Sequence, residues 1–249
     1  TGCAVPIDAL VTVPVESFDG LNADFIAVTV GGTPNKAGCV PSLFTFNIND
    51  RALHDLMGTV VEPAIATIPG TKFKAEGALL VTHWGMSGPA ILKLSSYAAR
   101  YLAEQNYRAQ LLINWTGESN AETVREELLA LLQANAKKDI TNLRPFNLPA
   151  RLWHYLLAKA AAVHSVPAGS ACGQKCAEVS RKTINRLVEL LTADTYTISS
   201  RCHYKEEFVT CGGVPLDSID SNTLESKTVP GLYYAGEVLD IDGITGGFN

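Results

Sequence analysis

Residues 231–249 combine glycines and carboxylates in an order that suits a bound cofactor. A short apolar run ends at Gly236, where a glycine lets the backbone approach a flat or phosphorylated ligand closely. The next residue, Glu237, can accept hydrogen bonds from sugar or ribityl hydroxyls. If a helix began at Gly246 and Gly247, its free N–H groups and positive dipole end would face developing negative charge. The pattern predicts a cofactor site, although spacing alone leaves open a loop that merely turns.

Acids in the same stretch, and a pair of cysteines, raise the question of a metal site. Glu237, Asp240 and Asp242 could share a cation, but one short acidic cluster without further oxygen ligands is weak support. Hydrogen bonding to a cofactor explains Glu237 better. Cys172 and Cys176 are four residues apart, and no second pair with zinc-ligand spacing accompanies them. We therefore predict no metal site.

A second stretch with potential chemistry surrounds His83. At the end of a strand this histidine could donate a proton near a cofactor or substrate, and Trp84 could pack on a ring face. The alternative is a histidine hydrogen-bonded within the turn and a tryptophan in the core. Ser87 follows Gly85 as in a nucleophile elbow, but Pro89 stands where that motif requires another glycine. A helix N-cap explains Ser87 sufficiently, so a serine hydrolase is not predicted.

The elements that would position these residues follow from the spacing of apolar side chains. Residues 23–30 form a near-continuous apolar run that ends in Gly31 and Gly32, as in a buried strand of a parallel sheet followed by a tight turn. Residues 59–68 and 72–83 alternate β-branched and polar residues, which predicts a half-buried antiparallel sheet.

Helical patterning dominates the middle of the chain and strand patterning returns after it. Three amphipathic segments predict a small helical subdomain. They are residues 120–136, 148–162 and 176–191. Residues 196–199 and 207–211 are strand-like again, and residues 231–237 suit a short buried strand before the glycine-rich turn.

The composition of the whole chain limits the classes of partner. Hydrophobic residues make up 47% of the 249 residues and charged residues 18%, which is typical of a soluble globular protein. A net charge of −5 and a pI near 5.5 argue against nucleic acid, because phosphates are bound by clustered Lys and Arg. No apolar run is long enough to span a bilayer, so we predict no membrane partner. Six irregularly spaced cysteines, in a chain too large to need disulfides, predict a cytoplasmic location.

The tail resembles the C-terminal FAD-contacting motif of the BaiN-like flavoproteins, also called the aminoacetone-oxidase-like family of NAD(P)/FAD-dependent oxidoreductases. Residues 77–90, 209–214 and 223–227 resemble the same family, in the same order and at fitting separations, so that the resemblance covers residues 40–249. It implies an α/β FAD domain of the two-dinucleotide-binding type. An inserted β-rich, barrel-like α+β domain and a small helical subdomain would interrupt that domain.

The resemblance also implies roles for single residues. Gly236, Gly246 and Gly247 would give backbone contacts to pyrophosphate and flavin, and Glu237 would bind ribityl or ribose hydroxyls. The residues expected to contact FAD are Gly31, Gly32, Gly236, Glu237, Asp242, Gly243, Thr245, Gly246 and Gly247. His83 is the expected catalytic residue on the substrate side. Hydride would pass from NAD(P)H or a small-molecule substrate to the flavin, and then to an acceptor.

Two features of the family have no counterpart in this sequence. The family opens with a strand, a G-x-G-x-x-G turn and a helix that hold the ADP part of FAD, and its flavin-facing helix begins where this sequence ends. We therefore expect an incomplete FAD domain. The expected domains are 1–39 (partial FAD-domain strands), 40–116 (β-rich domain), 117–193 (helical subdomain), 194–216 (return to the β-rich domain) and 217–249 (C-terminal FAD-domain segment). The alternative to an FAD-dependent oxidoreductase is a non-catalytic module that binds a ligand or a partner.

Overall fold

The computed structural model describes residues 39–162, 174–202, 209–241 and 243. The chain divides into two compact units. The larger unit is Pro41–Val209, and the smaller unit is made of Thr1–Val40 and Thr210–Asn249. The apolar run at 23–30 lies outside the described residues.

Six antiparallel strands of the larger unit form a closed barrel. The described strands are β1 (Val40–Ser42), β2 (Phe46–Ile48), β3 (Val60–Thr67), β4 (Lys74–Val81), β5 (Gly85–Ser87), β6 (Ala109–Asn114), β7 (Asp194–Arg201) and β8 (Val209–Cys211). The order around the barrel is β2-β5-β4-β3-β6-β7, and β7 closes it by pairing with β2. Closure leaves no unpaired strand edge in the sheet. β1 and β8 form a separate two-stranded sheet.

Alternating burial along strands such as β7 places apolar side chains in the barrel core. In β7 the buried positions are Asp194, Tyr196 and Ile198, and in β6 Leu111 lies opposite Tyr196. This period of two is the one that a strand with one face in a core must show. The described helices are α1 (Arg51–His54), α2 (Pro89–Tyr97), α3 (Ala99–Glu104), α4 (Ala121–Ala134), α5 (Ala150–Ala162) and α6 (Arg181–Ala193).

One apolar core joins the barrel to the helical subdomain of α4, α5 and α6. Phe46, Leu79 and Met86 fill the barrel, while Leu128 and Trp153 belong to the same cluster from the helical side. Side-chain caps fix where two of these helices begin. The Asn120 side chain accepts a hydrogen bond from the amide of Glu122, and the Ser180 hydroxyl accepts one from the amide of Thr183.

The predicted β-rich, barrel-like domain and the predicted helical subdomain are both confirmed. Three local predictions are wrong. Gly88, with a φ of +92°, and not Ser87, is the N-cap of α2, because Ser87 ends strand β5 with its side chain buried. Helix α6 begins at Arg181 and not at residue 176, because residues 176–178 form a separate 3-10 turn before the Ser180 cap.

The third wrong prediction is the buried strand at 231–237 in the smaller unit. Tyr233 makes a single bridge to Glu225 and is 61% exposed, whereas Tyr234 is buried. Residues 236–238 form a 3-10 turn. Ile219, Tyr234 and Leu239 make a small core of their own in this unit. Across the described residues, no helix is both long and apolar enough to cross a bilayer.

Candidate functional site

Backbone pairing with Val214, which follows Gly212 and Gly213, holds residues 238–240 in place. The amide of Val214 donates to the carbonyl of Val238 (2.8 Å), and the amide of Asp240 donates to the carbonyl of Val214 (2.9 Å). Gly213 has a φ of +158°, and a Cβ there would lie 2.5 Å from the oxygen of Val238. This glycine is therefore required by the close approach of two segments of the same chain, and no ligand is needed to explain it.

Gly236 is different, because the space beside its Cα is open in the described part of the chain. Its φ is +76°, which favours glycine, and no atom of the described residues lies within 4 Å of the position that a Cβ would occupy. The neighbouring Ala235 and Val238 are exposed as well. A bare, left-handed backbone position of this kind fits the close approach of a flat ring or a phosphate, so the residues present here are compatible with a flavin nucleotide.

The motif at 223–227 positions this part of the tail. A Glu225 carboxylate oxygen accepts a hydrogen bond from the amide of Gly231 (2.6 Å), and the amide of Tyr234 donates to the carbonyl of Leu224 (3.0 Å). Burial raises the pKa of the Tyr234 hydroxyl. These hydrogen bonds hold Gly231 and Tyr234 in place, just before the turn at residues 236–238.

Only part of the predicted cofactor set lies within the described structure. Gly236 is exposed, the backbone of Glu237 belongs to the 3-10 turn, and Gly243 is buried. The other members lie outside the described residues. They are Gly31, Gly32, Asp242, Thr245, Gly246 and Gly247. Their contacts with FAD stay predictions.

His83 lies exposed at the tip of the hairpin turn between β4 and β5. The turn is closed by the amide of Thr82, which donates to the carbonyl of Gly85 (2.9 Å), and by the amide of Gly85, which donates to the Thr82 hydroxyl (3.1 Å). The rings of His83 and Trp84 meet edge to face, with centroids 4.3 Å apart. His83 is thus exposed to solvent on a turn that two hydrogen bonds close.

Trp84 is half-buried, so neither of the two sequence interpretations describes it fully. Its indole N–H donates to the Thr45 hydroxyl (3.2 Å), and its carbonyl accepts from the amide of Ile48 (2.9 Å). The tryptophan therefore connects the hairpin turn to β2 by hydrogen bonds, and its ring contacts the His83 ring edge to face.

A buried polar network was not predicted from the sequence. Asp194 is completely buried, and Lys159 from α5 lies 2.5 Å from its Oδ1. Its Oδ2 accepts hydrogen bonds from the indole of Trp115 (3.2 Å) and from the hydroxyl of Tyr196 (2.5 Å). The Tyr196 hydroxyl oxygen also lies 3.3 Å from that of Tyr155. No short-range signal could have revealed it, because most partners are 35 to 79 residues apart.

The network ends at a surface cleft of about 540 Å³ between the start of α1 and strand β7. Asp50 and Tyr196 line this cleft. The carboxylate of Asp50 is already used by the protein, because it caps α1 through the amide of Leu53 (3.1 Å) and accepts from the Tyr155 hydroxyl (3.2 Å). We therefore assign the network to stability. In the described parts of the chain, no group of three or more His, Cys, Asp or Glu is placed to hold a metal.

Comparison with known proteins gives consistent matches. Residues 40–209 match the family model described as "HI0933-like protein barrel and H2TH domain". The chain is 31% identical to a ribosomal RNA dihydrouridine synthase of Haemophilus influenzae and 30% identical to one of Escherichia coli; each match includes 87% of this chain and 48% of the relative. It is 26% identical to a 3-dehydro-bile acid Δ4,6-reductase of Clostridium scindens, over 84% of this chain and 50% of that relative. The chain thus spans about half the length of these relatives.

Proposed function

The chain belongs to the HI0933-like family, and we propose that it is part of a flavoprotein oxidoreductase that reduces a carbon–carbon double bond conjugated with a carbonyl group. The resemblance of the tail to the BaiN-like FAD motif supports the flavin. This support comes from the tail and not from the barrel, and a barrel fold alone would not indicate a reaction because one fold hosts many different reactions.

The names of the relatives support the type of reaction. A dihydrouridine synthase forms a uridine whose ring double bond, conjugated with a ring carbonyl, has been saturated. A 3-dehydro-bile acid Δ4,6-reductase acts on ring double bonds in a steroid that carries a 3-keto group. The two names share one chemistry, which is the addition of a hydride and a proton across a conjugated double bond.

When bound, FAD in its reduced form would supply the hydride to the carbon β to the carbonyl, after NAD(P)H has supplied the electrons. Gly236 would hold the cofactor by its bare backbone, and Glu237 would accept hydrogen bonds from its ribityl or ribose hydroxyls. The remaining predicted contacts are proposed on the resemblance alone. The acid that protonates the carbon α to the carbonyl would be His83, since its exposed ring can regain a proton from solvent after each turnover.

The observation that carries the proposal is the left-handed backbone of Gly236, which is open among the described residues and lies within the stretch that resembles the FAD-contacting motif. Gly213 nearby also has a positive φ, but the chain itself fills the space beside it. Gly58, Gly70 and Gly231 are as open as Gly236. The resemblance of residues 231–249, together with the bare backbone, therefore supports a flavin nucleotide at Gly236.

The test is an anaerobic half-reaction with the full-length protein. The protein is purified, examined for FAD by its absorbance spectrum, and reduced with NADH or NADPH. It is then mixed with uridine monophosphate or with cyclohexenone. We expect reoxidation of the flavin at a rate that increases with acceptor concentration. A protein that takes up no FAD, or whose reduced flavin reacts with neither acceptor, would contradict the proposal.

A further inference from the structure

We propose that one end of the helical subdomain binds the phosphate backbone of an RNA that carries the reducible base. This inference rests on the proposed function, because it assigns a surface to the substrate of that reaction. The surface, called the basic end below, consists of Lys137, Lys138, Lys175, Arg181 and Lys182. The net charge of the whole chain predicts no nucleic-acid partner, whereas the local distribution of charge on the helical subdomain supports RNA.

Charge in this protein is segregated along the chain. Residues 117–193 contain 10 of the 20 Lys and Arg but only 7 of the 25 Asp and Glu, so this segment has a net charge of +3 in a chain of −5. Phosphate binding depends on the local arrangement of cations and not on the net charge of the whole protein. A negative overall charge therefore does not exclude an RNA surface on the helical subdomain.

The acids and bases of the subdomain lie toward opposite ends of helix α4. Glu118, Glu122, Glu126 and Glu127 precede or belong to its first half, whereas Lys137 and Lys138 follow its last residue. Glu127 lies seven residues before the last residue of α4, a rise of about 10 Å, and Glu122 lies twelve residues before it, about 18 Å. Both distances exceed the screening length at physiological salt, about 8 Å, so these acids reduce the positive potential at the far end only in part.

Backbone pairing brings the cations together at that far end. The amide of Cys176 donates to the carbonyl of Lys138 (2.9 Å), and the amide of Ala177 donates to the carbonyl of Ala136 (3.1 Å). Lys175 forms a bridge with Asp139 on the facing segment. Lys137, Lys138 and Lys175 are therefore neighbours, and all three side chains are exposed.

The acids within this segment serve its own backbone. Asp139 accepts hydrogen bonds from the amide (2.9 Å) and hydroxyl (2.6 Å) of Thr141, which starts a 3-10 turn. Glu178 accepts from the amide of Lys175 (3.3 Å). Both carboxylates keep their negative charge while they accept these hydrogen bonds, but the five cations of the basic end outnumber the two acids and leave a net charge of +3.

Helix α6 begins with two cations, an arrangement that should destabilise the helix itself. Its first two residues are Arg181 and Lys182, both exposed, and its first turn contains no acid. Cations at a helix N-terminus are unfavourable because they face the positive end of the helix dipole. A phosphate bound beside the three lysines would compensate this placement.

An RNA fits this surface better than an anionic membrane. Membrane-surface helices insert large apolar side chains beside their cations. Among the described residues, no large exposed hydrophobic side chain lies between 117 and 193. The basic end is therefore purely polar, as expected of a surface for phosphates. Two relatives are named for a reaction on ribosomal RNA, which fits the same partner.

The test is fluorescence anisotropy with the full-length protein and a labelled RNA stem–loop that contains loop uridines, at increasing KCl concentrations. The variant K137Q/K138Q/K175Q removes three charges from the basic end, and K72Q/K74Q/K93Q removes three from the barrel as a matched control. We expect the first variant to lower the slope of log affinity against log salt by about 2, at roughly 0.7 per single-strand phosphate contact. Its affinity in 0.1 M KCl should fall by about tenfold or more, and the control should bind like the wild type.

Equal losses in both variants, an unchanged slope, or binding to phosphatidylserine vesicles in place of RNA would overturn the proposal. Cross-linking of the wild-type protein to the same RNA, mapped by mass spectrometry, gives a second measurement that needs no substitution. Cross-links should concentrate in residues 137–144 and 174–182, and cross-links confined to the barrel would overturn the proposal. Reduction of uridine monophosphate or cyclohexenone reports separately on the proposed function. A wild-type protein that reduces neither acceptor contradicts the reaction, whereas reduction of either acceptor without RNA binding contradicts only the basic end.

Discussion

Lys159 and Asp194 form a buried ion pair in which Nζ and Oδ1 are 2.5 Å apart. Asp194 is the first residue of β7 and has no exposed surface, whereas Lys159 lies on α5 and is about one quarter exposed. The pair therefore joins the barrel to the helical subdomain through two charged residues that are 35 positions apart in the sequence.

The first prediction is that Asp194→Ala lowers the free energy of unfolding by roughly 3–5 kcal/mol, because it leaves Lys159 without its partner and removes an acceptor from two other donors. Urea denaturation measures the change. The matched control is Glu189→Ala, which breaks the exposed Arg186–Glu189 pair and should cost about 0–1 kcal/mol. Similar losses for both variants would contradict a structural role for the buried pair.

The second prediction concerns stability at alkaline pH. Burial raises the pKa of the hydroxyls of Tyr155 and Tyr196, and nearby Asp194 raises both further. The unfolded chain releases these protons near a pKa of about 10, whereas the folded protein retains them. The stability they contribute is therefore complete below about pH 10 and is lost as pH rises above it.

Urea denaturation at a series of pH values measures this dependence. The wild type should lose stability steadily above about pH 10, and Y155F/Y196F should show a shallower decline. A double variant whose decline is as steep as that of the wild type would show that other groups cause it. Tyr97, which is exposed, provides the control substitution Tyr97→Phe.

The third prediction concerns the glycine that lets the hairpin turn pack against β2. Gly85 has a φ of +153°, and a Cβ there would lie 2.7 Å from the amide nitrogen of Ile48 and closer still to the carbonyl oxygen of Phe46. Gly85→Ala should therefore cost roughly 2–4 kcal/mol. Gly70→Ala, at a φ of +75° with open space, should cost only about 1 kcal/mol. Thermal unfolding compares the two variants, and equal costs would contradict the close approach.

The fourth prediction is that His83→Gln slows double-bond reduction by about 10²- to 10⁴-fold, the usual contribution of a general acid. Flavin content and the rate of flavin reduction by NAD(P)H should not change, since the residue would act only on the substrate. The control is His54→Gln, because His54 bonds the carbonyl of Ile48 (2.7 Å) and has no proposed role in the reaction. Unchanged reduction in His83→Gln would remove this residue from the reaction.

Sequence patterns predicted the strands and helices in which apolar residues recur with a regular period. The alternation at 59–68 and 72–83 corresponds to β3 and β4, and the 3.6-residue period at 120–136 corresponds to α4. The same patterns could not show that β7 closes a barrel, because closure depends on β2, about 150 residues away in the chain.

Single residues in turns and in the core were harder to predict. Ser87 has the chemistry of an N-cap, but its strand pairing with Leu80 prevailed and Gly88 took that position. Asp194 gave no signal at all, because an acid at the start of a strand is ordinary unless its distant lysine is known. In the candidate site, the contact of Gly236 with a cofactor stays a prediction, whereas the need for Gly213 could not be seen in the sequence because the chain segment it contacts, at Val238, is 25 residues away.

The central claim is that the open backbone at Gly236 contacts a flavin nucleotide, and a pair of glycine variants tests it most directly. Gly231 has a similar φ, +81°, and is equally open, so Gly231→Leu and Gly236→Leu carry the same backbone strain. FAD is titrated into each apoprotein and binding is followed by quenching of flavin fluorescence. The account predicts that Gly236→Leu weakens FAD binding by tenfold or more while Gly231→Leu binds like the wild type; equal affinities in the two variants would contradict it.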